Sequence, residues 1–338
     1  MKKKKFRLKL DFQDIVPIVA FLVIFLFFTI ASYNSRTGKF MMLTGINIST
    51  VLEQTMQTII VASGALFVVA QGSIDMSVGV NLALSGVIGT WAAYATGVPW
   101  LMIPMCLIVG LMVGVFNGIV VSKFKVSSFM VTIALLIGIR GLVNYIQTFT
   151  DVQRLPEGLA IFGSSTFRTV LFFIIIIVMA YLFEFTKTGR YSRAIGENET
   201  AAKFVGVPVD KFKIKAFALS GLMAGMGSIF SVATIGSTSM QMGQFLEMRV
   251  IMAIFLGGVL VTGGTSAKFY KILLGSFSIQ IIIKGLALMN KSDSHISQSV
   301  QGILLLLILF LSAFAGSRRK KTIKAQPEEK TAEAAEKE

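Results

Sequence analysis

Long apolar stretches separated by short polar loops recur from one end of the chain to the other. Ten of them approach the roughly 20 residues that a helix needs to cross the hydrocarbon core of a bilayer. Because backbone N–H and C=O groups must be paired internally in lipid, each stretch is predicted to be a helix. The second, fourth and eighth are interrupted by glycine or polar residues. The ten predicted spans cover residues 15–33, 50–71, 77–96, 100–121, 127–147, 169–186, 214–235, 246–261, 272–289 and 297–315.

This pattern predicts an all-α polytopic membrane protein of about ten transmembrane helices, divided into three regions. Residues 1–14 form a basic cytoplasmic N-terminus, residues 15–315 the transmembrane domain, and residues 316–338 a disordered cytoplasmic tail. The tail lacks aromatic residues and alternates blocks of charge, which is typical of disorder. Its first basic residues are predicted to contact membrane lipids. The first apolar stretch lacks a small-residue cleavage site, so we interpret it as a retained span.

The distribution of charge agrees with this topology. The net charge is +15, and ten crossings place both basic termini on the same side of the membrane. Loops predicted to lie inside carry more than twice as many Lys and Arg residues as loops predicted to lie outside. Basic residues collect on cytoplasmic loops of membrane proteins. The sequence therefore predicts a multi-pass protein of the cell membrane with both termini cytoplasmic, and the positive charge gives no reason to expect a nucleic-acid partner.

Composition excludes several kinds of chemistry. Of 338 residues, 54% are hydrophobic and 14% are charged, and the mean hydropathy is +0.76. The chain has a single cysteine, Cys106, and a single histidine, His295, so a disulfide within the chain is excluded and a cysteine-built metal site is disfavoured. We expect no cofactor and no membrane-embedded enzyme. The phosphate-binding pattern G-x-x-x-x-G-K-[ST] does not occur in the sequence, which therefore lacks the usual ATP cradle.

Glycines inside predicted spans suggest close helix packing. Gly110 and Gly114 recur at a spacing of four, and the stretch "GLMAGMG" lies within an apolar segment. Small residues at such spacing let two helices approach closely in a membrane. We expect this packing role here.

The stretch "AQGSIDMSVG", residues 70–79, interrupts two apolar segments and holds the acidic Asp75. Gly72 is a poor helix former, and a carboxylate suits the positive end of the helix that follows. We therefore predict a helix break at the cytoplasmic membrane edge, formed by Gly72, Asp75 and Gly79, in which Asp75 caps the next helix. The alternative is a substrate or proton site, since a carboxylate inside a membrane is costly and usually functional.

Four segments in order resemble the ribose-type permeases of ATP-binding-cassette (ABC) importers. "GSIDMSVGVNLALSG" is similar to that family's G-G-I-D-L-S-V-G segment. "VGVFNGIVVSKFKVSSFMVTIALLIGIRGL" resembles its G-x-x-N-G stretch and following helix, with Ser127 or Ser128 in place of the usual proline. "TGRYSRAIGENETAAKFVGVPVDKFKIKAFALSGLMAG" resembles its cytoplasmic loop, and "LGGVLVTGG" its later glycine pairs. The resemblance as a whole extends over roughly residues 50 to 315.

The resemblance implies the membrane subunit of a monosaccharide importer, with a ribose-, xylose-, galactose- or autoinducer-2-like cargo. It implies three partners: a cytosolic ABC ATPase, an extracytoplasmic sugar-binding protein, and a second permease copy or a paralogue. Nucleosides and branched-chain amino acids, carried by related permeases, remain alternative cargoes. A less favoured alternative is an ion-coupled secondary transporter, which needs carboxylates inside the membrane. The chain offers few candidates for this role, namely Glu53 and Asp75.

Under the same resemblance, the loop after the sixth span carries a coupling helix that fits a groove on the ATPase. Asn198 caps this short helix, and Gly206 ends it in a left-handed conformation. The small side chains of the helix permit close approach, and its aromatic residue is an anchor. An ordinary surface helix is the alternative. The predicted coupling residues are Asn198, Glu199, Ala201, Ala202, Phe204 and Gly206.

Polar residues inside spans are candidates for the translocation path, although hydrogen bonding between helices is their more common role. The candidate path residues are Gln57, Asn81, Asn117 and Asn144. Three basic residues also fall within predicted spans, namely Arg140, Arg249 and Lys284. Each is expected to reach an interface or to pair internally. Arg249 departs from the family's pattern, and Glu247 is its candidate local partner.

Overall fold

The computed structural model of the chain describes residues 12–35, 37–150 and 153–289, and the isolated positions 299, 302–303, 306–307 and 310. The described part is almost entirely helical, as predicted. Its helices are α1 (Phe12–Ala31), α2 (Gly45–Ala70), α3 (Val78–Thr96), α4 (Met102–Lys123), α5 (Ser128–Thr150), α6 (Ser165–Phe185), α7 (Lys187–Glu197), α8 (Glu199–Phe204), α9 (Val209–Ile235), α10 (Leu246–Leu256) and α11 (Phe269–Leu288). A two-residue hairpin, β1 (Tyr33–Asn34) and β2 (Lys39–Phe40), follows α1 and was not predicted.

The described residues contain seven helices that are long and apolar enough to cross a membrane, and the apolar part of α1 is a shorter candidate. These confirm an all-α polytopic membrane protein. The tenth predicted span lies mostly outside the described residues. So do the basic N-terminus, except at residues 12–14, and the whole tail, so these remain predictions.

The eighth predicted span, 246–261, was wrong as a single membrane-crossing helix. The helix α10 has 11 residues, which extend roughly 16 Å, about half of the hydrocarbon core. It ends before Gly257, and the chain then runs to Lys268 in turns. Gly258, Gly263 and Gly264 have φ values of 87°, 71° and 71°, which only glycine adopts readily. These glycines replace the second half of the expected helix by irregular backbone.

Helix α9 lies at the centre of the fold and packs along α2, α3 and α4. Its contact with α4 is made through glycines, as the sequence predicted. A methyl group built on Gly110 would stand 2.5 Å from the carbonyl oxygen of Gly221 and 2.9 Å from the backbone of Gly225. The two helix backbones are therefore in direct contact, and neither could carry a larger residue at these positions without moving.

The loop that follows α6 contains a helix that was not predicted, α7. Thr186 caps it by accepting a hydrogen bond from the backbone N–H of Thr188. The apolar Ile195 on one face of α7 packs against Val209 and Phe212. Helix α7 thereby connects the transmembrane bundle to α8.

Candidate functional site

The break after α2 is fixed to three other parts of the fold. Gly72 has a φ of 71°, and a methyl group on it would lie 3.1 Å from the carbonyl oxygen of Thr262. The side chain of Gln71 donates one hydrogen bond to Ser192 Oγ and another to the carbonyl oxygen of Phe212, both at 3.0 Å. The predicted break at Gly72 is therefore present and is anchored to α7, to α9 and to the segment after α10.

Asp75 is buried, with 4% of its surface exposed, and does not occupy the position predicted for it. Helix α3 begins at Val78, and its N-cap residue is Ser77. The Oδ1 atom of Asp75 accepts hydrogen bonds from the backbone N–H of Ser77 at 3.0 Å and from its hydroxyl at 2.7 Å. The Oδ2 atom accepts one from the hydroxyl of Ser220 in α9 at 2.8 Å. Asp75 thus closes a turn before α3 and joins that turn to α9.

Burial raises the pKa of Asp75, and the hydrogen bonds from Ser77 and Ser220 act against that rise. Two further hydroxyls, both from α5, accept hydrogen bonds from the backbone of this segment. Ser128 accepts a hydrogen bond from the backbone N–H of Ile74 at 3.2 Å, and Thr132 accepts one from that of Met76 at 3.0 Å. The interrupted segment is therefore held from two sides inside the protein, and it is not an exposed turn at a membrane edge.

Gly79 was predicted to belong to the break, but it lies within α3. The absence of a side chain there makes room for another element. A methyl group on Gly79 would lie 2.5 Å from the carbonyl oxygen of Gly243, and the carboxylate of Glu247 would be closer still. Gly79 is therefore required for the close approach of the start of α10 to α3, and not for the turn.

Glu247 is buried beside two arginines that the sequence could not place. Arg140 of α5 donates hydrogen bonds to the carbonyl oxygens of Met242, at 2.9 Å, and Met240, at 3.4 Å. Arg249 donates to the carbonyl oxygen of Gln244 at 3.2 Å. Both arginines lie near enough to attract the charge of Glu247. The predicted pairing of Glu247 with Arg249 is thus electrostatic, and Arg140 shares it.

The two glycine-rich breaks of the sequence meet in space. A methyl group on Gly263 would lie 2.6 Å from the carbonyl oxygen of Ala70, at the end of α2. Glu197 of α7 accepts two hydrogen bonds from Thr265, one from its backbone N–H at 2.7 Å and one from its hydroxyl at 2.5 Å. The end of α2, the end of α7 and the segment after α10 therefore form one closely packed junction.

Helix α8 has the ends that the sequence predicted. The side chain of Asn198 accepts a hydrogen bond from the backbone N–H of Ala201 at 3.0 Å, and Gly206 has a φ of 81°. Glu199 forms ion pairs with Lys213 of α9 at 2.7 Å and with Lys203 at 3.2 Å. Partial burial opposes the ionisation of Glu199, but the hydrogen bonds from the two lysines outweigh it and lower its pKa.

The two alanines of α8 face in opposite directions. Ala201 is exposed, whereas Ala202 is buried and packs in a cluster with Val207 and Phe212. The expectation that Ala202 lets a partner approach was therefore wrong, because a helix this short must bury one face against its own protein. Phe204 is 87% exposed and Val205 is 80% exposed. The exposed surface at α8 therefore combines the small Ala201 and this apolar pair with the polar Thr200 and Lys203.

The predicted path residues fall into two groups. The amide nitrogen of Asn81 donates to the carbonyl oxygen of Gly110 at 3.1 Å, and that of Asn117 donates to Ser77 Oγ at 2.8 Å. Both asparagines are buried and connect α4 to α3 or to its N-cap, which is the helix-packing alternative. Asn144 lies on the exposed face of α5, and Gln57 is half-buried in α2. The structure does not bring these four residues together.

Two basic residues that fall outside the predicted spans are buried and held by the fold. Arg168, counted as a loop residue, is a buried residue of α6 that pairs with Glu53 at 2.9 Å and donates to the carbonyl oxygen of Gly163 at 2.8 Å. Lys271, counted as a loop charge, is 1% exposed. Its ammonium group donates to the carbonyl oxygens of Gly258 and Ser266, each at 3.1 Å. No local sequence signal distinguishes them from exposed charges, because their partners lie far away or on irregular backbone.

Comparisons with known proteins agree with the motifs. A family model described as the permease component of the branched-chain amino acid transport system matches residues 47–309. The ribose import permease RbsC of Haemophilus influenzae is 29% identical over 81% of this chain and 87% of its own length. The autoinducer 2 import permease LsrC of Photorhabdus laumondii is 31% identical over 79% of this chain and 81% of its own. The L-arabinose ABC transporter permease AraH of Azospirillum brasilense is 30% identical over 74% and 75%. The chain therefore belongs to this permease family and, within it, to the permeases of monosaccharide-type ABC importers.

Proposed function

We propose that this chain is the membrane subunit of an ABC importer that moves a monosaccharide into the cell. The observation that carries this proposal is the set of relatives, which match 74% or more of this chain and 75% or more of their own length and are permeases for ribose, autoinducer 2 or L-arabinose. The family model is named for branched-chain amino acids, but the sugar importers favour a sugar cargo here. Nucleosides remain the alternative cargo.

An ion-coupled secondary transporter is disfavoured by the positions of its candidate carboxylates. Such a transporter needs intramembrane carboxylates that exchange ions or protons. Asp75 instead accepts three hydrogen bonds from Ser77 and Ser220. Glu53 pairs with Arg168. Both carboxylates have structural partners that account for their presence.

Helix α8 is proposed to be the coupling helix, which binds a separate cytosolic ATPase and transmits its conformational change to the transmembrane helices. Phe204 and Val205 form an exposed apolar tip, which suits insertion into a groove on a partner. Asn198, Glu199 and Gly206 fix the two ends of α8, and Lys213 ties it to α9. A force applied to the tip would reach the transmembrane bundle through α9. ATP hydrolysis itself is assigned to the partner, since the sequence lacks the usual phosphate loop.

The proposed topology keeps ten crossings, with the eighth formed by the short α10 together with the irregular segment that follows it. Both termini are proposed to lie in the cytoplasm, and the three regions remain 1–14, 15–315 and 316–338. In this topology α8 is cytoplasmic and the segments 153–163 and 236–245 are extracytoplasmic. These two segments are joined by hydrogen bonds from Leu155 N–H to Gly236 O at 2.9 Å and from Thr238 N–H to Gln153 O at 2.8 Å. They are proposed to receive the sugar-binding protein. The path is proposed to run between two permease copies or paralogues, with Asn144 on the outward face of α5 and Gln57 of α2 as its remaining candidates.

Uptake in proteoliposomes tests this function. The chain is reconstituted with the ATPase and binding protein encoded beside it, and labelled pentoses, hexoses and nucleosides are supplied on the outside. We expect ATP-dependent uptake of one pentose or hexose, and no uptake with an ATPase that cannot hydrolyse ATP. Uptake by the chain alone, driven by a proton or sodium gradient, would show the mechanism to be secondary transport. ATP-dependent uptake of nucleosides, without uptake of any sugar, would show that the cargo is a nucleoside. The ABC import mechanism would still hold.

A further inference from the structure

A cleft of about 580 Å³ opens between the last turns of α6, helix α7 and the first turns of α11. It lies apart from the proposed path and from the exposed tip of α8. Its lining combines an apolar wall, which includes Ala180 and Leu273, with charged residues at its mouth, Arg193, Lys268 and Glu184. A site with one apolar and one charged part is suited to an amphiphile.

The cleft continues a surface that faces lipid. Phe173, Ile177 and Tyr181 lie on one side of α6 and are each more than half exposed, as expected of a strip in contact with acyl chains. The strip continues to Phe185, which is 71% exposed and stacks on Tyr181, and it runs beside Ala180 in the wall of the cleft. Tyr270 lines the other side of the cleft. Tyrosines are typical of the boundary between hydrocarbon and head groups, so the mouth of the cleft lies at head-group depth.

The charges at the mouth favour an anion. The carboxylate of Glu184 is occupied, because one oxygen accepts a hydrogen bond from Arg193 at 2.7 Å and the other accepts one from the backbone N–H of Phe269 at 2.8 Å. Together with Lys268, the charged lining carries one net positive charge. Lys187 and Arg190 on α7 are exposed and add to the positive potential nearby.

We propose that this cleft binds one anionic phospholipid of the cytoplasmic leaflet. The phosphate lies between Lys268 and Arg193, and an acyl chain lies along Ala180 and Leu273. Basic clefts between transmembrane helices on the cytoplasmic side bind anionic head groups. A free phosphate would use the charged mouth alone and leave the apolar wall in water. The assignment to the cytoplasmic leaflet rests on the proposed topology, whereas the binding of an anionic phospholipid does not.

Lipid binding to the purified full chain in detergent tests the proposal without any transport assay. Native mass spectrometry and thermal unfolding are measured with phosphatidylglycerol, with phosphatidylcholine of the same acyl chains, and with inorganic phosphate. We expect phosphatidylglycerol to bind and to raise the melting temperature more than the other two. Lys268→Gln should weaken phosphatidylglycerol binding about fivefold, and Leu273→Trp should weaken it by filling the apolar part. Lys211→Gln, at an exposed lysine of α9, is the matched control and should bind as the wild type does.

Three results would overturn the site. The first is equal binding of the two lipids, and the second is wild-type binding by both Lys268→Gln and Leu273→Trp. The third is stabilisation by inorganic phosphate as large as that by the lipid, which would make this a site for a free anion. Lys268→Arg keeps the charge and should retain binding, so it separates loss of the site from loss of the fold. Failure of sugar uptake would leave these measurements unchanged and would bear only on the proposed function.

Discussion

The hydroxyl of Ser220 lies 2.8 Å from the Oδ2 atom of Asp75 and donates a hydrogen bond to it across 145 positions of sequence. The bond joins the central helix α9 to the turn that precedes α3. Because α9 is continuous with the segment that follows α8, this bond directly connects the loop between α6 and α9 to the interrupted segment. Asp75 is therefore a structural residue whose loss should affect stability before it affects transport chemistry.

Replacing Asp75 by Ala leaves the Ser77 N–H, the Ser77 hydroxyl and the Ser220 hydroxyl without their acceptor. We expect the free energy of unfolding to fall by about 2–3 kcal/mol, since buried unsatisfied donors are costly. Asp75→Asn retains one acceptor oxygen and should lose less, and Ser220→Ala, which removes one bond, should lose about 1 kcal/mol. Thermal unfolding in detergent measures these differences. The pH dependence of uptake should stay unchanged in all three, and a shifted profile in Asp75→Asn would favour the proton-site alternative.

The glycine contact between α4 and α9 predicts a second stability effect. Gly221→Ala places a methyl group 2.8 Å from the Cα atom of Gly114 and forces the helices apart. We expect a loss of about 1–3 kcal/mol, as for other overpacked interiors, measured by thermal unfolding. Gly138→Ala on α5 is the matched control, because a methyl group there meets no atom within 4 Å. Equal melting temperatures for the two variants would contradict the packing role of Gly221.

The class of the fold and most helices could be predicted because hydrocarbon imposes a single requirement, about 20 apolar residues in a helix, and the sequence shows it directly. The short α10 could not be predicted in the same way. Its apolar pattern continues past Leu256, and only the positive φ angles at Gly258, Gly263 and Gly264 show that the backbone leaves the helix. Those conformations depend on the contact of Gly263 with the end of α2 and of Gly264 with Glu197.

The candidate sites were predictable where the physics is local. The capping of α8 by Asn198 and its end at Gly206 need only neighbouring residues, and both predictions are confirmed. The burial of Asp75 depends on Ser220, and that of Ala202 depends on Phe212. Such contacts join distant parts of the chain, and a single sequence does not show which distant residues are in contact.

Phe204 offers a test of coupling that is separate from folding. Its side chain is 87% exposed, so Phe204→Ala should leave the melting temperature of the isolated chain unchanged. If the ring anchors the ATPase, the variant should weaken ATPase binding about tenfold or more, as loss of an aromatic interface anchor does. Titration of the purified ATPase against the permease measures this. Phe124→Ala, 71% exposed in the loop after α4, is the control, and an equal effect of the two changes would exclude a specific role for α8.

Two ion pairs differ in burial, so we expect them to contribute differently to the free energy of unfolding. The Arg168–Glu53 pair has side chains 8% and 26% exposed, whereas both side chains of the Lys125–Asp210 pair are 54% exposed. Arg168→Gln leaves Glu53 without its partner and should reduce the free energy of unfolding by about 3 kcal/mol. Lys125→Gln should change it by about 0–1 kcal/mol, because solvent screens exposed pairs. Thermal unfolding at low and high salt distinguishes them, and salt should weaken only the contribution of Lys125.

The lowered pKa of Glu199 predicts how pH affects the anchoring of α8. Since the folded protein binds the Glu199 proton less tightly than the unfolded chain, the stabilisation by Lys213 and Lys203 is present above the ordinary pKa of Glu199, 4.5, and disappears as pH falls through the lower folded value. Glu199→Gln should therefore lower the melting temperature at pH 7 and have a smaller effect near pH 4. Glu157→Gln, at an exposed glutamate of the segment 153–163, should have little effect at either pH. A Glu199→Gln effect of the same size at both pH values would show that the carboxylate charge does not hold α8 to α9.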